Sequence, residues 1–193
     1  MANSGEEAKI RLTEAIGTVE AGTGAEVVVV QARRSDSWWE LRLGLGAALG
    51  WVAVAILCWS PLTFHDLMIP VYVAAIGLLG VALGGTRMVV RQAPERVRRA
   101  RVELAARAAF VEEAVHTTPE RTGILVYVSE LEGLGLVVAD EGVLARLPTI
   151  GAFVVTADTI SADLARLAPV LAEALPRRPD DVNHLPDAPR VRA

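Results

Sequence analysis

At 193 residues, with a formal charge of −4 and a mean hydropathy of +0.39, the chain carries more apolar sequence than one soluble domain of its length needs. The single cysteine, Cys58, excludes a disulfide framework and a thiolate metal centre by count. Arginines crowd the stretch after residue 86, but no interleaved aromatic residues or base-reading motif accompany them, which argues against a nucleic-acid partner.

In chain order, residues 1–5 are expected to fray, and a helix is predicted over 6–21. There Ala8, Leu12, Ala15, Ile16 and Val19 recur on one face. The N-terminal stretch is polar and acidic, so no cleaved signal is expected. Gly22-Thr23-Gly24 ends the helix. The run Glu26-Val27-Val28-Val29-Val30 has no polar alternation, which is how a strand covered on both faces reads. Arg33, Arg34 and Ser35 lead out of it.

Residues 43–59 and 67–86 are two uncharged runs separated by a short break holding His65 and Asp66. Each approaches the ~17–25 residues that cross a bilayer as a helix, and both being core helices of so short a chain is hard to arrange. Trp38, Trp39 and Trp59 flank the first run, where indoles favour the interface. Arg33, Arg34 and Arg42 precede the hairpin, and Arg87, Arg91, Arg96, Arg98, Arg99 and Arg101 follow it. The positive-inside rule therefore predicts a two-pass protein of the inner membrane with both termini cytoplasmic. Anionic headgroups fit the second cluster. Gly46 and Gly50, like Gly80 and Gly84, are four apart, a spacing that lets helices approach closely. It suits packing of one span on the other, with a homo-oligomer or a membrane-protein partner as the sharper alternative. Neither run holds an ionisable residue to serve transport.

Beyond the hairpin, a helix is predicted from Pro94 to His116, its apolar stripe formed by Val97, Arg101, Leu104, Ala108 and Val111. Strands are predicted over 123–129 and 134–139, joined at Glu132-Gly133, with a shorter strand at 152–156. A last helix, capped by Thr159 or Ser161, contains Pro169 and runs to Leu175. Residues 177–193, rich in proline and charge, read as an extended or disordered tail.

The strand at 25–32 belongs to a segment too short to fold alone, so its partners must be the strands at 123–129 and 134–139. The expected organisation is one α/β domain interrupted by a membrane hairpin. Residues 1–37 form its first part, 38–87 the hairpin, 88–176 the remainder and 177–193 the tail. The fold class is a small mixed sheet flanked by helices.

Three stretches, Thr23-Gly24-Ala25-Glu26-Val27-Val28-Val29-Val30, Arg121-Thr122-Gly123-Ile124-Leu125-Val126-Tyr127-Val128-Ser129 and Val137-Val138-Ala139-Asp140-Glu141-Gly142-Val143, carry a likeness to a known family. With residues 178–187, the chain resembles the TPM-domain family, in particular its bacterial subgroup with a two-helix membrane insertion. That resemblance implies a sheet sandwiched between helices, divalent-cation binding in some members and phosphate-ester hydrolysis in others. Here Ala139-Asp140-Glu141-Gly142-Val143-Leu144 stands where those members carry a glycine-rich turn, so a non-catalytic interaction or scaffold module is expected.

The alternative is a phosphatase dependent on Ca²⁺ or Mg²⁺. Asp140 and Glu141, adjacent carboxylates just past a strand, are its candidate metal ligands, with Asp158 and Asp163 reaching in from a later loop. A solvated helix start explains the same acids. Glu26 is assigned a structural role at the start of its strand, away from Asp140. His65, His116 and His184 are too scattered for one site, Ser129 has no nucleophile elbow around it, and Gly133-Leu134-Gly135 is followed by no helix that would make it a dinucleotide fingerprint.

Overall fold

The computed structural model describes residues 2–61, 65–156, 159–177 and 189–192. The backbone divides into two compact units, residues 1–35 with 96–193, and residues 36–95.

The first unit is an α/β sandwich. Its five-stranded sheet runs in the order β4-β3-β2-β1-β5. The strands are β1 (Glu26–Ala32), β2 (Gly123–Ser129), β3 (Leu134–Ala139), β4 (Val154–Val155) and β5 (Arg190–Arg192). β1 lies parallel to β2, with Val28 opposite Leu125 and Ala32 opposite Ser129. β2 and β3 form an antiparallel hairpin. Its turn passes through Gly133 at φ 66°, a left-handed conformation that glycine adopts without strain.

Successive side chains of β1 and β2 point to opposite faces, and both faces are covered. Val27, Val29, Ile124, Val126 and Val128 pack under α1 (Ala2–Gly22) and α7 (Ile160–Ala174), where Leu12, Ile16, Leu164, Leu167 and Leu171 complete one core. Val28, Val30, Leu125 and Tyr127 face the other way, onto Val102, Ala106 and Ala109 of α5 (Glu95–Glu112). This two-sided burial is why the strand sequences show no polar alternation.

Four expectations are corrected. The first helix begins at Ala2, so residues 2–5 are helical. The neighbours of β1 are β2 and β5; β3 pairs with β2 instead. The tail returns to the sheet, because Arg190–Arg192 pair in parallel with Val30–Ala32. On α5, the predicted stripe points outward, with Leu104 and Val111 exposed by 73% and 62%. The sheet takes the small side chains Val102, Ala106 and Ala109, which let helix and sheet approach closely. Of the tail, residues 178–188 lie outside the described residues, as does His184.

The second unit is a helical hairpin of α2 (Trp39–Trp59) and α3 (Ile69–Gly84), followed by the single turn α4 (Arg87–Val90). Glycines set the helix spacing. A Cβ on Gly80 would stand 2.7 Å from the Cα of Gly46, and one on Gly84 would stand 2.6 Å from the Cα of Arg42. Gly50 is looser, its ideal Cβ 3.9 Å from the nearest atom of Val73. The Arg42 guanidinium donates to the Val81 carbonyl at 3.2 Å, satisfying an acceptor near the end of α3. Trp51, Ile56, Trp59, Leu67, Leu78 and Leu79 are exposed.

Candidate functional site

Asp140 and Glu141 sit where β3 gives way to the single helical turn α6 (Glu141–Leu144). Asp140 is its N-cap and accepts the Glu141 N–H at 2.8 Å. The turn is pressed against the chain entering β2. Gly142 donates its N–H to the Arg121 carbonyl at 3.0 Å, and a Cβ there would come within 2.5 Å of the Glu120 carbonyl. Arg121, itself at φ 56°, answers both acids, its guanidinium 3.7 Å from Asp140 and 3.9 Å from Glu141. Asp140 is buried and Glu141 is open to solvent.

The register corrects the placement of Glu26. It lies opposite Gly123, whose carbonyl accepts the Asp140 N–H at 3.0 Å. The hairpin returns the end of β3 to the start of β2, and parallel pairing puts the start of β1 beside it. Glu26 and Asp140, both buried, therefore share one end of the sheet, two strand spacings of about 4.8 Å apart. Chemically this end offers carboxylate oxygens partly neutralised by one guanidinium. A hard cation needs six or more oxygens, or a few plus water. Among the described residues, no three His, Cys, Asp or Glu side chains are gathered as a metal would require. Asp158 lies outside the described residues.

Asp163 belongs elsewhere. It is buried in the first turn of α7, where it accepts the Thr159 hydroxyl at 2.7 Å and the Thr156 N–H at 3.2 Å and pairs with Arg166. Burial pushes its pKa upward, but the hydrogen bonds from Thr159, Arg166 and Thr156 outweigh it and hold the carboxyl below its ordinary value. These residues, with Ala152 and Phe153, line an open cleft of about 460 Å³.

Two groups of interacting residues lie outside the sites the sequence predicts. The first surrounds Glu132, fully buried in the β2–β3 turn. Its carboxylate accepts the Ser129 hydroxyl and, at 3.2 and 3.3 Å, the Ser35 N–H. Its carbonyl accepts Arg98 at 2.7 Å. One residue thus holds the strand of chain leaving β1 and the helix bringing the chain back. The local signal is a hydroxyl and a carboxylate three residues apart across a tight turn, Ser129 and Glu132. Beside it, burial raises the pKa of Tyr127 above its ordinary value, the Ser35 hydroxyl bond opposing. Ser129, buried and bonded to Glu132, is no accessible nucleophile. The second group is Glu112 and Glu113 at the end of α5, paired with Arg190 and Arg192 of β5.

Of the described histidines, His65 precedes α3 in the second unit, and His116 lies in the 3₁₀ turn Val115–Thr117 of the first, its ring 6.4 Å from that of Phe110.

No known protein-family profile matches the chain, and no curated protein does. Among solved structures it is similar to the NMR structure of the BA42 protein from the psychrophilic bacterium Bizionia argentinensis. The match has a TM-score of 0.51 at 13% identity, over 96% of this chain and 92% of that one. At that identity the likeness concerns the fold.

Proposed function

We propose that the protein is a membrane-anchored, non-catalytic interaction module: a TPM-like α/β domain on the cytoplasmic face, held by a two-pass hairpin inserted in its sequence. The observation that carries this reading is the exposure of α2 and of the segment Asp66–Gly84. Their 18-residue windows have mean hydropathies of 1.9 and 2.2, yet only 17% and 11% of those windows is buried. A core helix of a soluble protein is mostly buried. Leaving side chains such as Trp51, Ile56 and Leu78 in water forgoes about 1.5–3 kcal/mol for each large apolar residue, which a bilayer restores. The arginines on both flanks favour cytoplasmic termini. The engagement of Asp140 and Glu141 by Arg121 supports a non-catalytic role.

The second reading, a phosphatase dependent on Ca²⁺ or Mg²⁺, is favoured by one observation, the convergence of Glu26 and Asp140 at one sheet end. The detergent-solubilised chain, incubated with a generic phosphate ester and either cation, separates the two. The interaction module gives no turnover and no cation-induced rise in melting temperature. Metal-dependent turnover abolished by Asp140→Asn overturns it.

A further inference from the structure

The last strand of the sheet is held unlike the others. β5 has three residues, and its central one, Val191, is 70% exposed, so beyond the buried Pro189 just before it little apolar burial ties the strand down. What seats it is directional. Its backbone runs parallel to Val30–Ala32, and Arg33 donates its N–H to the Arg192 carbonyl at 3.1 Å. Its two arginines, spaced to point the same way from an extended strand, meet the carboxylates at the end of α5. Arg190 pairs with Glu113, and Arg192 pairs with both Glu112 and Glu113. Glu113 is buried, and both guanidiniums reach its carboxylate.

Strand addition at a sheet edge takes its affinity from main-chain hydrogen bonds and its specificity from side-chain seats at alternate positions. The β1 edge with Glu112 and Glu113 supplies both. We propose that this edge is a recognition seat for an extended Arg-x-Arg segment of a partner protein, and that the chain's own Arg190–Arg192 occupies it as a tethered competitor. Charge complementarity and register define the ligand: two arginines two residues apart, in an extended segment lying parallel to β1. The inference does not rest on the proposed membrane location. Because a tethered segment acts at an effective concentration in the millimolar range, a free peptide of Kd near 0.1 mM is weakened roughly tenfold when the tether is in place.

The test uses the detergent-solubilised full chain, a form ending at residue 186, and the full chain carrying Arg190→Glu with Arg192→Glu. A fluorescent peptide of residues 187–193 is titrated against each by polarisation. The shortened chain and the double variant are expected to bind it saturably, and the unaltered chain about tenfold more weakly or worse. A peptide with glutamates in place of the arginines is expected not to bind. If the shortened form does not fold, the double variant decides. Absence of binding to a folded double variant overturns the proposal, as does equal binding of the glutamate peptide. A full-chain dimer that disappears when β5 is removed also overturns it, assigning the seat to a second copy.

Discussion

Replacing Glu132 with alanine should be among the costliest single changes outside the apolar core. The substitution removes the acceptor of two donors, the Ser129 hydroxyl, which is fully buried, and the partly buried Ser35 N–H. Stranding a buried donor costs about 1–3 kcal/mol, and about 1–2 kcal/mol for the partly buried Ser35 N–H, so the pair implies about 2–5 kcal/mol, a large share of the ~5–15 kcal/mol that holds a typical domain together. At about 4 °C per kcal/mol, the melting temperature should fall by about 8–20 °C. Glu132→Gln, whose amide oxygen can still accept one donor, should lose less. Thermal melts of the full chain in detergent read the loss, and hydrogen exchange by mass spectrometry should show the Ser35 amide exchanging faster in the alanine variant. A melting temperature within 2 °C of the parent, with unchanged exchange at Ser35, would refute the reasoning.

Gly142→Ala should destabilise by about 1–3 kcal/mol in a urea melt, since its Cβ would lie 2.5 and 2.6 Å from the Glu120 and Arg121 carbonyl oxygens. Leu104→Ser and Val111→Ser on the exposed side of α5 should stay within about 0.5 kcal/mol of the parent, whereas Ala106→Leu on the covered side should cost about 1–3 kcal/mol by overpacking. Asp163 is held ionised in the fold, so it stabilises above the unfolded carboxyl pKa of about 3.9, and that contribution is lost as pH falls through the lower folded value. Asp163→Asn should therefore melt earlier at pH 7 and show a shallower loss of stability below about pH 4. Gly80→Val should force α2 and α3 apart, read as weakened cross-linking between cysteines placed at Leu45 and Val81 in a Cys58→Ser background.

The central sheet was legible because β1 and β2 are long runs of branched apolar residues, and only burial on two faces accommodates them. The hairpin of β2 and β3 was legible from its glycine turn, and α2 and α3 from their length and lack of charge. β5 was not: Arg-Val-Arg in a proline-rich tail has no apolar signature, and its hold comes from carboxylates some eighty positions away in sequence. On α5 side-chain size does not track burial. Against a sheet already filled by valines and leucines, alanines fit and Leu104 does not. The adjacency of Asp140 and Glu141 in sequence carries no sign of Arg121, which approaches because the chain folds the entry to β2 against that turn. The proximity of Glu26 to Asp140 follows from strand direction, which no local pattern encodes.

Side-specific labelling tests most directly whether a lipid-embedded hairpin interrupts one domain. Single cysteines replacing Arg34, His65 and Glu130, all exposed, are introduced in a Cys58→Ser background and reacted with an impermeant maleimide in sealed vesicles of one orientation. Positions 34 and 130 should label from the same side and position 65 only from the other. Labelling of 34 and 130 from opposite sides, or of all three from one side, would contradict the account.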